Sequence, residues 1–137
     1  MTTVQQGAHV LPITADADVV RVRQAVRQLA VAAKLSLVDQ TKLVTAASEL
    51  ARNTLIYGGG GSAELESVVD GRRQGVRACF VDHGPGIADV DLALTDGYTS
   101  GSGLGLGLSG ARRLVDAFSL RTVVGEGTNV EIVKWAR

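Results

Sequence analysis

Apolar residues recur along the chain with two periods, and the places where the period changes divide it into elements. Val19, Val22, Val26, Leu29, Ala30 and Ala33 return every three or four positions, while Arg21, Arg23 and Arg27 occupy the other face, so 18–35 is predicted to be an amphipathic helix. Ser36 with Asp39 three residues on resembles a capping box, and Leu43, Val44, Ala47, Leu50, Ala51, Thr54 and Leu55 carry the same period as far as Tyr57. This second helix, over 36–57, runs into the glycine run 58–61. Beyond it, 63–70 and 75–81 read as two strands joined by Gly71-Arg72-Arg73-Gln74, a hairpin. Upstream, Val10, Leu11 and Ile13 alternate over 9–14, and Pro12 argues that this short strand lies at a sheet edge. A loop with one helical turn fills 84–94, the glycine-rich stretch 96–107 reads as a mobile lid, and a third helix is expected over 108–118. The strands 120–124 and 129–134 close the chain as a hairpin around Gly125-Glu126-Gly127. Two layers follow, with helices on one face of a mainly antiparallel mixed sheet in an α+β fold.

Length and composition narrow the class. A chain of 137 residues with 45% hydrophobic and 20% charged residues fits one globular domain over 1–137 with a real core, and the 4% of aromatics makes that core aliphatic. Lys plus Arg and Asp plus Glu are both 14, so no global field attracts nucleic acid or an anionic membrane, and any anion site must be local. No long apolar span and no leader-like start are visible, which gives a soluble, cytoplasmic expectation without nucleic-acid or membrane partners. Cys79 is the only cysteine, expected as an inert strand thiol, and His9 and His83 are the only histidines, so neither a zinc cluster nor a histidine-based triad is supported.

Three separated pieces carry candidate chemistry. Gly101-Ser102-Gly103-Leu104-Gly105-Leu106-Gly107 places glycines at two-residue spacing ahead of a helical pattern, which suits close backbone approach to phosphate, although such runs also occur as plain turns. Glu49 and Asn53 are i and i+4 on the second helix and share one face. Mg²⁺ takes oxygen ligands at roughly 2.1 Å and keeps several waters and substrate phosphate oxygens, so one oxygen from Asn53 suffices and Glu49 is left to accept a proton. A solvated helix face is the alternative for that pair, and Arg52 beside it suits either phosphate or a surface acid. Asp82 ends a strand and enters His83-Gly84-Pro85-Gly86, where its carboxylate suits either an adenine amino group or an Asx-type turn.

In this order the three pieces resemble the N box, G1 box and G2 box of the GHKL, or Bergerat-fold, ATP-binding family, which includes histidine kinases, gyrase-type ATPases, Hsp90 and bacterial anti-sigma serine kinases. The resemblance implies ATP and Mg²⁺ as cofactors, Glu49 as general base, Asn53 as Mg²⁺ ligand and Asp82 as the carboxylate that reads adenine. It further implies that Gly84 and Gly86 shape the base pocket, that Gly101, Gly103, Gly105 and Gly107 form the phosphate lid and hinge, and that Thr128, in Gly127-Thr128, supports Asp82 and adenine through its hydroxyl. His83 and the run 58–61 do not match the family pattern.

Within the family, no phosphoacceptor helix, sensor segment or transducer domain is apparent, and an anti-sigma-type serine/threonine kinase is expected. Ser48-Glu49-Leu50-Ala51-Arg52-Asn53, Asp96-Gly97-Tyr98-Thr99-Ser100 and the ending Val124-Gly125-Glu126-Gly127-Thr128 through Lys134-Trp135 look like the switch kinases of stressosomes. That likeness implies phosphorylation of STAS-domain scaffold or antagonist proteins, followed by activation of a PP2C-type phosphatase through binding. The nearest rival is a kinase that sequesters a sigma factor and phosphorylates an anti-anti-sigma protein, with Arg21, Arg23, Arg27 or Trp135 in its partner surface or simply in solvated or sheet-packed positions. A non-catalytic, nucleotide-gated interaction module is disfavoured by the intact Glu49, and a generic ATP hydrolase by the missing coupling domain.

Overall fold

The computed structural model describes residues 4–95 and 107–137. In chain order they form β1 (Val4–Ile13), α1 (Asp16–Ala32), α2 (Leu37–Ile56), β2 (Gly61–Asp70), β3 (Arg73–Asp82), α3 (Val90–Ala93), α4 (Gly107–Arg113), β4 (Ala117–Val123) and β5 (Gly127–Trp135). The strands make one five-stranded sheet in the order β1-β2-β3-β5-β4. Every strand pairing in it is antiparallel, so the mixed sheet expected from the sequence is replaced by a purely antiparallel one. β2–β3 and β4–β5 are hairpins, while β1 reaches its neighbour β2 through α1 and α2, and β3 is followed by α3 and α4 before β4 takes the far edge beside β5.

Both long helices end where local chemistry stops them. Lys34 takes a left-handed φ of 66°, the amide of Leu35 donates to the Ala30 carbonyl at 3.0 Å, and that of Lys34 to Val31 at 3.0 Å. This is a Schellman closure, and it ends α1 at Ala32, short of the expected Leu35. Ser36 Oγ then accepts from the Asp39 amide at 3.1 Å and caps α2. The Asp39 carboxylate lies 3.7 Å from Lys134 Nζ and 3.8 Å from Arg137 Nε, tying the start of α2 to the end of β5.

The core lies between the helices and one sheet face. Val22, Val26, Leu43 and Leu50 from the helices meet Leu65, Phe80 and Ile132 from the strands, all fully or nearly fully buried. Phe80 is the one aromatic ring among the fully buried side chains, and the remainder is aliphatic as the composition requires. Alternation along the strands sends Glu64, Glu66, Arg77, Cys79 and Glu131 to the other face. There Arg77 meets Glu66 at 2.8 Å, Glu131 at 2.7 Å and Glu64 at 3.1 Å. Burial works against the charged guanidinium, yet its hydrogen bonds to Glu131 and Glu64 prevail and push its pKa up. Cys79 Sγ donates to Asn129 Oδ1 at 2.8 Å, and burial raises the thiol pKa, in keeping with an unreactive strand thiol.

The main departure from the expected elements lies after α4. The helix expected over 108–118 stops at Arg113, and β4 starts at Ala117. Asp116 decides the boundary: its amide donates to the Val133 carbonyl at 2.9 Å and its carboxylate accepts the Trp135 amide at 2.7 Å. These contacts with β5 recruit the chain to the sheet, and Phe118 and Leu120 then alternate into the core. At the other edge, β1 extends over ten residues, well beyond the expected strand 9–14, with Pro12 at the sheet margin and an irregularity between Gln6 and His9.

Candidate functional site

A cavity of about 980 Å³ opens between α1, α2, the ends of β3 and β5, and the start of α4. Glu49, Asn53, Asp82, Gly86, Gly107 and Thr128 all line it, so the sequence motifs converge although up to 79 positions separate them (128 − 49). Gly84 stands just behind the wall, and Gly101, Gly103 and Gly105, with the rest of the expected lid before Gly107, lie outside the described residues.

Glu49 and Asn53 project from the last turns of α2, both half-buried, with Leu50 and Ala51 buried behind them. The helix ends one turn later because the Asn53 carbonyl accepts from both Tyr57, at 2.9 Å, and Gly58, at 3.1 Å. Thr54 Oγ1 folds back onto the Leu50 carbonyl at 2.9 Å, and the Thr54 carbonyl takes the Gly60 amide at 2.9 Å. The pair is thereby held at the mouth of the glycine run.

Asp82 is the last residue of β3, flanked by Gly61 on β2 and Thr128 on β5. Its Oδ1 accepts from the Gly84 amide at 2.9 Å and from the Thr128 amide at 3.3 Å. The Asx turn is therefore real, and it consumes one oxygen only. The other, Oδ2, lies where Gly58 has no side chain, since a Cβ there would come within 2.6 Å of it. A Cβ at Gly84 would stand 2.8 Å from the Gly58 backbone, so the two glycines let two loops meet around one carboxylate. This cradle fits a flat base with an amino group to donate.

The segment after Asp82 is laced to the last hairpin. Gly86 has a φ of 76°, and a Cβ on it would lie 2.5 Å from the Val123 carbonyl oxygen. The Ile87 amide donates to Thr122 Oγ1 at 2.9 Å, and the Gly125 amide donates to the Pro85 carbonyl at 2.8 Å. Thr122 Oγ1 also lies 3.0 Å from Thr128 Oγ1. The expected support of Asp82 by the Thr128 hydroxyl is thus made by the Thr128 main-chain N–H, while the hydroxyl pairs with Thr122. Asp89 Oδ1 caps α3 by accepting from the Leu92 amide at 3.0 Å, and Pro85, Ile87 and Leu92 give this end of the cavity an apolar wall.

Sequence reasoning missed Thr122, Gly58 and the placement of Arg23 and Arg27, which line the cavity from α1. Arg21, on the same helix, instead pairs with Asp18 at 2.6 Å. Trp135 packs over Gly75, with the Arg73 guanidinium 4.6 Å above its ring. Among the described residues no cluster of three His, Cys, Asp or Glu side chains forms a metal cage. An Mg²⁺ held by the single oxygen of Asn53 together with nucleotide phosphates is compatible with that donor set. No helix among the described residues is long and apolar enough to cross a membrane.

Residues 38–136 match the family model described as histidine kinase-, DNA gyrase B- and HSP90-like ATPase. The serine/threonine-protein kinase RsbT of Bacillus subtilis (strain 168) is 43% identical over 120 residues, which span 88% of this chain and 90% of that protein. Among solved structures, that of the RsbU and RsbW domains of Rv1364c from Mycobacterium tuberculosis superposes with a TM-score of 0.64 at 19% identity over 96% of this chain. The match spans 33% of that longer chain and bears on the fold alone. With Glu49, Asn53, Asp82 and Gly107 lining one cavity, the chain belongs to the GHKL family of histidine kinase-, DNA gyrase B- and HSP90-like ATPases.

Proposed function

We propose that the chain is an Mg-ATP-dependent serine/threonine protein kinase that phosphorylates STAS-domain regulatory proteins and afterwards binds and activates a PP2C-type phosphatase. The observation that carries the reading is that Asp82, Asn53 and Glu49 line one cavity, with Asp82 packed against Gly58 just past the end of the helix that bears Asn53 and Glu49. The extended likeness to a serine/threonine kinase over 88% of the chain supports the choice of acceptor.

In this reading the free oxygen of Asp82 accepts from the adenine amino group, while Oδ1 stays fixed by Gly84 and Thr128. Pro85, Ile87 and Leu92 exclude water from the base. Asn53 would hold Mg²⁺, which supplies charge neutralisation across the phosphates. Glu49, one helical turn from Asn53, accepts the proton of the attacking serine or threonine hydroxyl as its oxygen bonds to the γ-phosphorus and ADP leaves. Gly107, and with it Gly101, Gly103 and Gly105, would offer backbone amides to the phosphates. A cytoplasmic location follows from this substrate.

The deciding experiment mixes the purified chain with Mg²⁺, γ-labelled ATP and each STAS-domain protein of its host, beside a Glu49→Gln control. Label on one of those proteins that disappears in the variant is the expected result. Nucleotide binding with no labelled acceptor would overturn the kinase assignment.

A further inference from the structure

The cavity is longer than the chemistry assigned to it. Thr41, Thr45, Glu49 and Asn53 follow one another at four-residue spacing on α2, and all four line it. At a rise of about 1.5 Å per residue this row runs roughly 18 Å from Asn53 to Thr41. Asp82 lies beyond the Asn53 end, against Gly58. If the nucleotide spans Asp82 to Glu49, the hydroxyl that attacks its last phosphate must arrive from the Thr45 side. That half of the cavity has no role so far.

Its walls are basic and hydroxylic. Arg23 and Arg27 stand one turn apart on α1, and both line the same cavity as Thr41 and Thr45. Each is exposed, and among the described residues neither has an ion-pair or hydrogen-bond partner. Residues 96–106 contain no lysine or arginine, so the described cations of the cavity are those two and Arg52. Val20 and Val31 flank Arg27 at i−7 and i+4 on the same helical stripe and are 48% and 57% exposed. A stripe with apolar ends and unpaired arginines at its centre suits a protein surface with a carboxylate between apolar contacts, because bidentate pairing with arginine fixes both position and orientation.

We propose that Arg27, with Arg23 beside it and Val20 and Val31 at its flanks, forms an acceptor subsite that holds an acidic side chain of the protein bringing the phosphorylatable hydroxyl. The subsite rests on the kinase reading for its direction and sets which protein presents its hydroxyl to Glu49. Arg27 acts here as a specificity-determining residue that does not touch the reacting atoms.

The test compares wild type, Arg27→Glu and Arg27→Lys, each checked for an unchanged melting temperature. Two affinities are measured: that of the non-hydrolysable analogue AMP-PNP, and that of the host's purified STAS-domain proteins for the AMP-PNP-loaded chain. Arg27→Glu is expected to weaken the best STAS-protein complex by at least about tenfold, with AMP-PNP affinity unchanged and partial recovery in Arg27→Lys. A parallel loss of AMP-PNP affinity would assign Arg27 to the nucleotide phosphates and overturn the subsite, and so would unchanged affinity for both ligands. Arg27-dependent STAS-protein binding without any label transfer by wild type would retain the subsite and sink the kinase reading instead.

Discussion

The Thr128 amide reaches Oδ1 of Asp82 from 3.3 Å across the β3–β5 pairing, and the Gly84 amide takes the same oxygen at 2.9 Å. One carboxylate oxygen is thus fixed by the protein's own backbone while its twin faces the Gly58 gap. Asp82→Asn keeps the size of the side chain. With Oδ1 retained by the two amides, the new NH₂ group would confront the amino group of the base, donor against donor. Nucleotide affinity is expected to fall by about ten- to a hundredfold, the scale of one lost hydrogen bond plus an unsatisfied donor. Calorimetric titration with an ATP analogue reads the change, and an unchanged affinity would remove Asp82 from base recognition.

Glu49 is separated from Asn53 by one helical turn, and the two roles assigned to them separate experimentally. Glu49→Ala removes the proposed proton acceptor and leaves Asn53 and Asp82 unsubstituted. Phosphoryl transfer is expected to drop about 10²- to 10⁴-fold with ATP still bound, the usual effect of losing a general base. Single-turnover transfer and equilibrium binding measured on the same preparation distinguish this from a binding defect. If ATP affinity collapses together with transfer, Glu49 belongs to the nucleotide site and not to proton transfer.

Much of this arrangement is legible in the sequence where a local pattern specifies it. Each long helix buries one stripe, so Val22, Val26, Leu43 and Leu50 disclose both elements. Glu49, Asn53 and Asp82 stand in short motifs whose spacing survives folding. The boundary after α4 is not legible, because Leu114, Val115 and Phe118 suit a helical period as well as a strand edge. Contacts from Asp116 to Val133 and Trp135 settle it, and those partners are distant in sequence. The same holds for Arg23 and Arg27, which read as the solvated side of an amphipathic helix until the way α1 lies against α2 is known. Thr122 had no signal of its own. Its hydroxyl becomes important only when β4 brings it under Ile87 and beside Thr128.

Two glycines of the last hairpin separate backbone strain from crowding. Gly125 has a φ of 84° with open space where a Cβ would stand. Gly127 has a φ of 133°, and a Cβ there would collide with the Asp82 carbonyl oxygen and lie 2.8 Å from His83 Cα. Gly125→Ala is expected to cost about 1 kcal/mol, the left-handed penalty alone. Gly127→Ala adds the clash and is expected to cost about 2–4 kcal/mol while displacing Asp82, so nucleotide affinity falls with it. Urea unfolding of both variants gives the comparison. Equal costs would mean that the backbone around Asp82 yields freely.

Asp18 joins the end of β1 to the start of α1 through one carboxylate. Its Oδ2 accepts from the Thr14 amide at 2.8 Å, the Thr14 hydroxyl at 3.0 Å and the Ala15 amide at 3.1 Å. Its Oδ1 takes Arg21 Nη1 at 2.6 Å. The Thr14 amide and hydroxyl hold the carboxyl pKa below its ordinary value of 3.8. A depressed folded-state pKa means the unfolded chain binds the proton more readily as acid is added. The contribution to stability is therefore complete above the ordinary value and lost as pH falls through the lower folded one. Asp18→Asn is expected to lower the urea midpoint at pH 7, and the gap to wild type should close as the pH is brought below that of an ordinary aspartate. A gap that stays constant from pH 7 to pH 3 would show that the side chain's shape, and not its charge, joins the strand to the helix.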